Sequence, residues 1–447
     1  MRVAVIGAGI IGVTTAFELA GDGHEVTVYE RRGSVAAETS FANAGVVAPG
    51  YVTPWAAPGM PGKVIRSLFD RHSAVLLNAR LDIRTLRWMW QWWRACGGSR
   101  HAANRSALQR LALFSRDRLR QVTHQLQLDY ERSDGFLVLL RSAQDFALAE
   151  PGLALLKDLG VRHSVLDAAG CLAVEPALRT DTILHAGIHL PDDEIGNCRQ
   201  FAHLLRGEAQ ARGVRFRFHA EVQRIVPGPT PQLILQPAAA DDSGPLTTID
   251  SGRTGFAPTQ PMQMHPVTET VDAIVVCAAL GSGVLLAPHG LRLPMAPVYG
   301  YSITAPMRPQ NAHGEHGPRS GLMDERYKVA ISRLGSRIRV AGCAELGGSL
   351  AQHNRAALAT LYKVLDDWFP GAARLTQAQR WKGARPMLPD GPPVLGRSGM
   401  DGIWLNLGHG SSGWALACGS ARVLADAMAS RPPAVDTAAF GVERLKR

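Results

Sequence analysis

Long apolar runs are missing from this 447-residue chain. A bilayer-crossing helix needs about 18 apolar residues in succession, so none is expected. Cysteine is scarce and dispersed. The six, Cys96, Cys171, Cys198, Cys277, Cys343 and Cys418, include no Cys-x-x-Cys pair. That argues against a disulfide framework or a thiolate metal site and for small core residues. Clusters with metal-ligand spacing are also absent. Asp192-Asp193-Glu194 has no histidine or fourth ligand at a useful distance, so it reads as a turn and no metal is expected. An apolar strand begins at residue 2, leaving no room for a cleaved leader. The expected location is the cytoplasm, or the cytoplasmic face of a membrane. Acid is in deficit: 48 Lys and Arg against 38 Asp and Glu leave a formal charge of +10. Between Lys63 and Arg120, thirteen basic residues meet only Asp70, Asp82 and Asp117, so this segment alone carries the chain's excess. No nucleic-acid recognition motif accompanies it, which argues against that partner. A solvated helical face or an anionic membrane surface is left.

What is present begins at the N-terminus. Arg2-Val3-Ala4-Val5-Ile6 reads as a buried strand. Gly7-Ala8-Gly9-Ile10-Ile11-Gly12 follows at once, then a helical stretch from Val13 to Ala20. A second strand, Glu25 to Tyr29, ends at Glu30. Gly7 permits a tight turn, Gly9 lets backbone approach a pyrophosphate, and Gly12 lets helix and strand pack closely. The helix start offers N–H groups and a positive dipole end to phosphate. Glu30, about 20 residues on, is placed to accept from both ribose hydroxyls. This strand-turn-helix-strand context makes the glycine motif a dinucleotide fingerprint. It does not by itself separate FAD from NAD. Arg31-Arg32 leaves NADP open, but an acid at the strand tip repels a 2′-phosphate, and FAD is the preferred reading.

Residues 31–62 read as loop, with small residues and prolines from Thr39 to Gly59 suited to a flat ligand. Residues 63–130 read as helical. Leu86, Met89, Trp90 and Trp93 share one face, and Trp88 and Trp92 another. With Arg84, Arg87 and Arg94 beside them, this is either an interfacial helix or one packed on two sides inside a cap. Residues 227–266 hold eight prolines and read as a surface excursion. Asp272 to Cys277 resumes as a buried strand ending in Ala278-Ala279-Leu280-Gly281. Tyr299 to Thr304, Tyr327 to Arg333 and Arg337 to Gly342 alternate as strands of an antiparallel sheet. Ile403 to Leu407, then Gly408-His409-Gly410-Ser411-Ser412-Gly413-Trp414, then a helix to Met428 form another strand-glycine-helix unit.

Gly7 to Gly12 with Glu30, Glu38-Thr39-Ser40-Phe41-Ala42-Asn43-Ala44-Gly45, Pro54-Trp55-Ala56-Ala57-Pro58-Gly59, Gly383-Ala384-Arg385-Pro386 with Pro389-Asp390-Gly391, and Gly408 to Trp414 carry a resemblance. Together they resemble the bacterial FAD-dependent D-amino acid dehydrogenases of the small-subunit type, within the D-amino acid oxidase and glycine oxidase superfamily. The likeness runs nearly end to end and departs at 227–266. The resemblance implies an α/β fold. A Rossmann-like FAD-binding domain would be drawn from 1–62, 166–226, 267–290 and 381–447, with 227–266 as an insertion. A substrate domain with a mostly antiparallel sheet and helices would come from 63–165 and 291–380.

The chemistry so implied is hydride transfer from the substrate Cα to flavin N5. Water then yields a 2-oxo acid and ammonia, and electrons pass to a quinone or respiratory acceptor. Arg385 is the candidate to grip the substrate carboxylate bidentately. Tyr327 and Tyr301 are candidate hydroxyl contacts or plain packing. His409 is either beside the flavin ring or a turn-stabilising residue. FAD contacts are expected at Ile6, Gly7, Ala8, Gly9, Ile10, Ile11, Gly12, Tyr29, Glu30, Arg31, Thr39, Ser40, Asn43, Ala44, Gly45, Val222, Ala278, Gly281, Gly383 and Gly408 to Trp414. N–H groups from Ser411 to Trp414 are expected near the flavin N1–C2=O edge. Ser411-Ser412 stands where bulkier residues are expected, which bears on substrate range. An oxygen-using oxidase of the same superfamily and a flavin-bearing subunit of a larger complex are the alternatives.

Overall fold

The computed structural model describes residues 1–67, 70, 72–78, 82–237, 266–308 and 317–445. Arg2–Ile6 is the middle of a six-stranded sheet. Glu25–Tyr29 and Ala273–Val276 flank it, both parallel to it. Arg215–Arg217 and Ile403–Leu407 extend the sheet in parallel, and Val394–Arg397 closes one edge antiparallel. Helices Ile10–Gly21, Cys198–Ala211 and Gly413–Met428 cover one face through Val13, Phe17, Phe201, Leu205 and Leu424. A three-stranded antiparallel sheet, Ala220–Val226, Gln232–Pro237 and Val267–Thr270, covers the other. Its Val222, Ile225 and Leu233 meet Ile6, Ile274 and Leu405. Burial on both faces is why these central strands are continuous apolar runs.

A ten-stranded sheet lies beside this unit. Its main path runs Gln379–Met387, Ala296–Pro306, Arg337–Leu346, Val329–Leu334, Gly321–Asp324, Ser133–Leu140, Ala186–Ile195 and Val46–Val47. Most pairs are antiparallel; Gly321–Asp324 runs parallel to Ser133–Leu140. Helix Arg355–Trp368 packs on one face against Ile303, Ile331 and Val340. The other face meets the 42–48 segment. The fold is thus α/β, with a dinucleotide sheet discontinuous in sequence and a second, mostly antiparallel sheet.

The structure corrects several expectations. Ala186–Ile195, predicted with the FAD domain, pairs with Ser133–Leu140 in the large sheet. Gln379–Met387 likewise forms an edge of that sheet, beside Ala296–Pro306. Inside the helical 63–130 region, Val75–Leu77 is a strand paired with Ala344–Leu346. Of the excursion, Gln232–Pro237 is a strand, and 238–265 lie outside the described residues. Helix Ile83–Ala95 buries Trp88 and Trp92 but leaves Trp90 51% and Trp93 64% exposed. It is packed on one side only.

Asp192-Asp193-Glu194 is not a turn but the end of strand Ala186–Ile195. Charges distant in sequence make this possible. Arg162 pairs with Asp192 at 2.5 Å, and the Tyr130 hydroxyl donates to Glu194 at 2.8 Å. Asp193 is buried beside the Gly50 backbone, with no side chain hydrogen-bonded to its carboxylate among the described residues. Burial pushes its pKa up to about 7, against the pull of Arg116, the Gly50 N–H and Arg120. Its folded-state pKa lies above the ordinary value, so folding favours its protonated form. The protein should therefore lose stability as pH rises from about 4 to about 7. Asp193→Asn should stabilise the protein by about 4 kcal/mol at pH 8, and by nothing near pH 4. Denaturant midpoints of both proteins across this range check the prediction; equal midpoints at pH 8 would refute it.

Candidate active site

The N-terminal turn is built by close backbone contacts. Gly7 has φ +101°, and its N–H donates to the Tyr29 carbonyl at 2.8 Å. A Cβ there would lie 2.9 Å from the Cys277 carbonyl oxygen and 3.2 Å from Ala278 Cα. The turn thus leans on the end of Ala273–Val276. Gly281 closes the short turn that follows, donating to the Ala278 carbonyl at 2.9 Å. Helix Ile10–Gly21 starts at Gly9 with no side-chain cap, and the Ile10 N–H donates to Ser40 Oγ at 3.1 Å. Glu30 accepts from the Ala8 and Arg32 N–H groups at 2.7 and 2.8 Å. Burial pushes its carboxyl above the usual range. Val222 packs in one cluster with Ile6 and Tyr29. Arg31 points outward and pairs with Glu38 at 2.6 Å. A helix start that has glycine at its N-cap and only its Ile10 N–H held by a side chain, a glycine facing it and an acid with spare lone pairs fit a nucleotide diphosphate and its ribose.

The 39–45 segment runs from this turn to the large sheet. Thr39 Oγ1 donates to the Ala384 carbonyl at 2.8 Å. Ser302 Oγ donates to the Ala42 carbonyl at 2.8 Å, Arg339 Nη1 to that of Asn43 at 3.0 Å, and Ser332 Oγ to that of Ala44 at 2.7 Å. Asn43 Oδ1 accepts from the Gly45 N–H at 2.9 Å.

The C-terminal turn reaches the same place. Met387 and His409 form an isolated bridge, which docks Gly408–Trp414 onto the end of Gln379–Met387. Gly408 and Gly410 have φ +78° and +56°. Helix Gly413–Met428 also begins without a side-chain cap, at Ser412. Ser411 is exposed, and Ser412 and Gly413 are half-buried. The His409 ring points into the helix, with Nε2 3.0 Å from Ser420 Oγ. Ser420 donates to the Leu416 carbonyl at 2.6 Å, so its oxygen accepts from the imidazole. Burial lowers the His409 pKa to about 3, and the ring is neutral. This is the turn-stabilising contact. Trp414 is buried, its ring centroid 5.0 Å from Phe201 and 6.1 Å from Tyr130.

Arg385 lies on Gln379–Met387 between these turns. Opposite it is Val298, and Gly300 opposes Gly383. A Cβ on Gly300 would meet the Arg385 guanidinium at 2.4 Å, and one on Gly383 the Trp381 ring at 1.9 Å. Both glycines clear room for large side chains. Arg385 Nη1 donates to the Cys343 carbonyl at 3.0 Å. Among the described residues no carboxylate pairs with it, and burial lowers its pKa.

The two candidate tyrosines are elsewhere. Tyr301 sits directly across from Lys382, three residues from Arg385 and so on the opposite face of the sheet. Its hydroxyl bonds Glu345, which also takes Lys382 Nζ at 2.6 Å. Tyr327 is in the turn after Gly321–Asp324, not on a strand. Its ring lies 5.1 Å from the Arg141 guanidinium and 6.4 Å from His72.

A different polar cluster lies beside Cys343. Val329 pairs with Gly342, so Lys328 stands beside Cys343, whose carbonyl Arg385 holds. Lys328 Nζ donates to Tyr51 Oη at 3.0 Å and also bonds Glu325. Tyr51 Oη donates to Glu325 Oε2 at 2.6 Å, and its ring sits 6.0 Å from Phe136 on the 42–48 side of the sheet. Sequence spacing carried no sign of this trio. Lys328 reaches it from a left-handed φ of +52°, and Tyr51 ends the single 3-10 turn Pro49–Tyr51.

Residues 2–427 match the model of the DAO family, described as FAD dependent oxidoreductase. The chain belongs to that family, and FAD is its cofactor. It is similar over its length to proteins named D-amino acid dehydrogenase. One from Cereibacter sphaeroides is 43% identical, covering 99% of this chain and 95% of that protein. Another, from Bradyrhizobium diazoefficiens, is 42% identical, covering 99% of each. Among solved structures, glycine oxidase from Geobacillus kaustophilus shares the fold with a TM-score of 0.72 at 18% identity, covering 99% of this chain and 98% of that one. L-proline dehydrogenase from P. horikoshii does so with 0.70 at 15% identity, covering 100% and 98%. Among the described residues no helix is long and apolar enough to cross a membrane.

Proposed function

We propose that this chain oxidises D-amino acids to 2-oxo acids and ammonia. The observation that carries this reading is Arg385, a half-buried guanidinium without a carboxylate partner among the described residues, set on the strand that the 39–45 segment and the C-terminal glycine turn both reach. The names of the full-length relatives supply the substrate class. Arg385 binds the α-carboxylate through its free N–H groups, and Gly300 gives it room to lie flat. That grip orients the Cα–H bond. Bound FAD supplies the two-electron acceptor for this bond, and water converts the imino product. The helical run that opens at Gly410–Ser412 sets its positive dipole end toward charge arising there. Tyr51, Lys328 and Glu325 border the site beyond Cys343, where a substrate side chain would extend. The neutral His409 holds its turn and takes no proton. No dedicated base is required when the amine arrives neutral.

Anaerobic mixing of the FAD-loaded protein with D-amino acids, L-amino acids, glycine, sarcosine and both proline isomers tests this. D-amino acids should bleach the flavin band at about 450 nm. Bleaching by L-amino acids or glycine alone would overturn the reading.

The acceptor we infer is a membrane quinone, reached from a bilayer surface. On helix Ile83–Ala95, Trp88 and Trp92 anchor the buried side, while Ile83, Leu86, Trp90 and Trp93 face outward. Arg94 stacks 4.8 Å over Trp90, and Arg84 and Arg87 are also exposed. Apolar rings among cations suit an anionic lipid interface. The double variant Trp90→Ser, Trp93→Ser should co-sediment with anionic liposomes at least about tenfold less than the parent at low salt. Equal sedimentation would refute this surface. Rapid turnover on oxygen alone would favour an oxidase.

A further inference from the structure

Three successive carbonyls, those of Ala42, Asn43 and Ala44, are each captured by a side chain of the large sheet: Ser302, Arg339 and Ser332. Successive carbonyls of an extended chain point to alternate sides. Here all three turn to the sheet, away from the side where the FAD ring is expected. Two of the captors are neutral hydroxyls, so a hydroxyl suffices for the task. The third is a guanidinium only 6% exposed. Its other bond, from Nε to Thr304 Oγ1 at 2.9 Å, also ends on a neutral oxygen. The acid that acts on it, Glu131, is committed to Arg337 at 2.6 Å and Asn197 at 2.7 Å. Arg337, Cys198 and Arg199 also act on its charge. Burying an unpaired cation is costly, and holding one carbonyl does not require it. A charge that matters in only one redox state accounts for the cost: two-electron reduction makes the flavin ring electron-rich.

We propose that Arg339 is a positioning residue that fixes Asn43 and places an uncompensated positive charge behind the 42–44 segment, favouring reduced over oxidised FAD. This rests on the reading of 39–45 as the stretch beside the ring. Arg339→Gln keeps a donor and removes the charge; Ser332→Ala removes a captor and keeps the charge. The readouts are FAD dissociation constants and the midpoint potential of bound FAD.

Arg339→Gln should hold oxidised FAD within about threefold of the parent, while its preference for reduced over oxidised FAD falls at least about tenfold, read as a lower potential. Ser332→Ala should weaken FAD binding with the potential unchanged. A parental potential in Arg339→Gln overturns the proposal. If Ser332→Ala changes neither FAD affinity nor the flavin spectrum, the placement of 39–45 fails and the proposal falls with it. Where Arg339→Gln does not fold, Arg339→Lys decides. A buried lysine loses its proton at lower pH than arginine, so its potential should drop away from the parent's as pH rises from about 7 to about 10. Parallel profiles overturn the proposal.

Discussion

Arg385→Met should lower kcat/KM for D-alanine by about a thousandfold, roughly 4 kcal/mol of transition-state stabilisation, and leave FAD bound. The guanidinium has no carboxylate of its own among the described residues, so it is free for one from outside. Removing it strands a substrate carboxylate without its counter-charge. Arg385→Lys should recover little, because an ammonium offers a point charge where a planar fork is needed. The flavin spectrum of both variants should match the parent's. Steady-state kinetics with D-alanine settle the matter: an unchanged kcat/KM would strip Arg385 of its assigned role.

Gly12→Val should yield protein that retains no FAD, with affinity reduced at least about a hundredfold. A Cβ at Gly12 would stand 1.8 Å from the Gly7 carbonyl oxygen and 2.9 Å from its carbon. Both are backbone atoms of the turn itself, so no side chain can rotate away. Relief requires the helix start to move off the strand, which destroys the anion cradle. Gly283→Ala is the control. Its added methyl meets nothing within 4 Å, and FAD content should be untouched. Flavin absorbance per mole of purified protein reads both; a yellow, stoichiometric Gly12→Val would refute the prediction.

The dinucleotide turn, the strands Arg2–Ile6, Glu25–Tyr29, Ala273–Val276 and Ile403–Leu407, and the two helix starts were legible because each is a local pattern. Apolar runs give strands, glycines give the turns, and helical spacing follows. The sheet face of a residue is not local in that sense. Tyr301 alternates correctly with its neighbours, yet an irregularity between Tyr299 and Tyr301 shifts the register against Arg337–Leu346. Cys343, at φ +58°, bulges there and turns its carbonyl to Arg385. No periodicity announces such a shift. Asp193 and Glu194 misled for a related reason: consecutive acids look like solvent-facing turn residues until arginines and a tyrosine from remote segments enclose them. Arg339 gave no signal at all, because its partner, the Asn43 carbonyl, lies 296 positions away.

The strand order of the dinucleotide sheet has a consequence for biosynthesis. Arg2–Ile6 leaves the ribosome long before its partner on one side, Ala273–Val276, and the next strand out, Ile403–Leu407. Throughout most of translation the nascent chain therefore carries an apolar strand with an unpaired edge, an invitation to wrong partners. A stop codon just before residue 403 would leave the Ala273–Val276 edge open for good, and the product would be a chaperone client rather than a shortened enzyme.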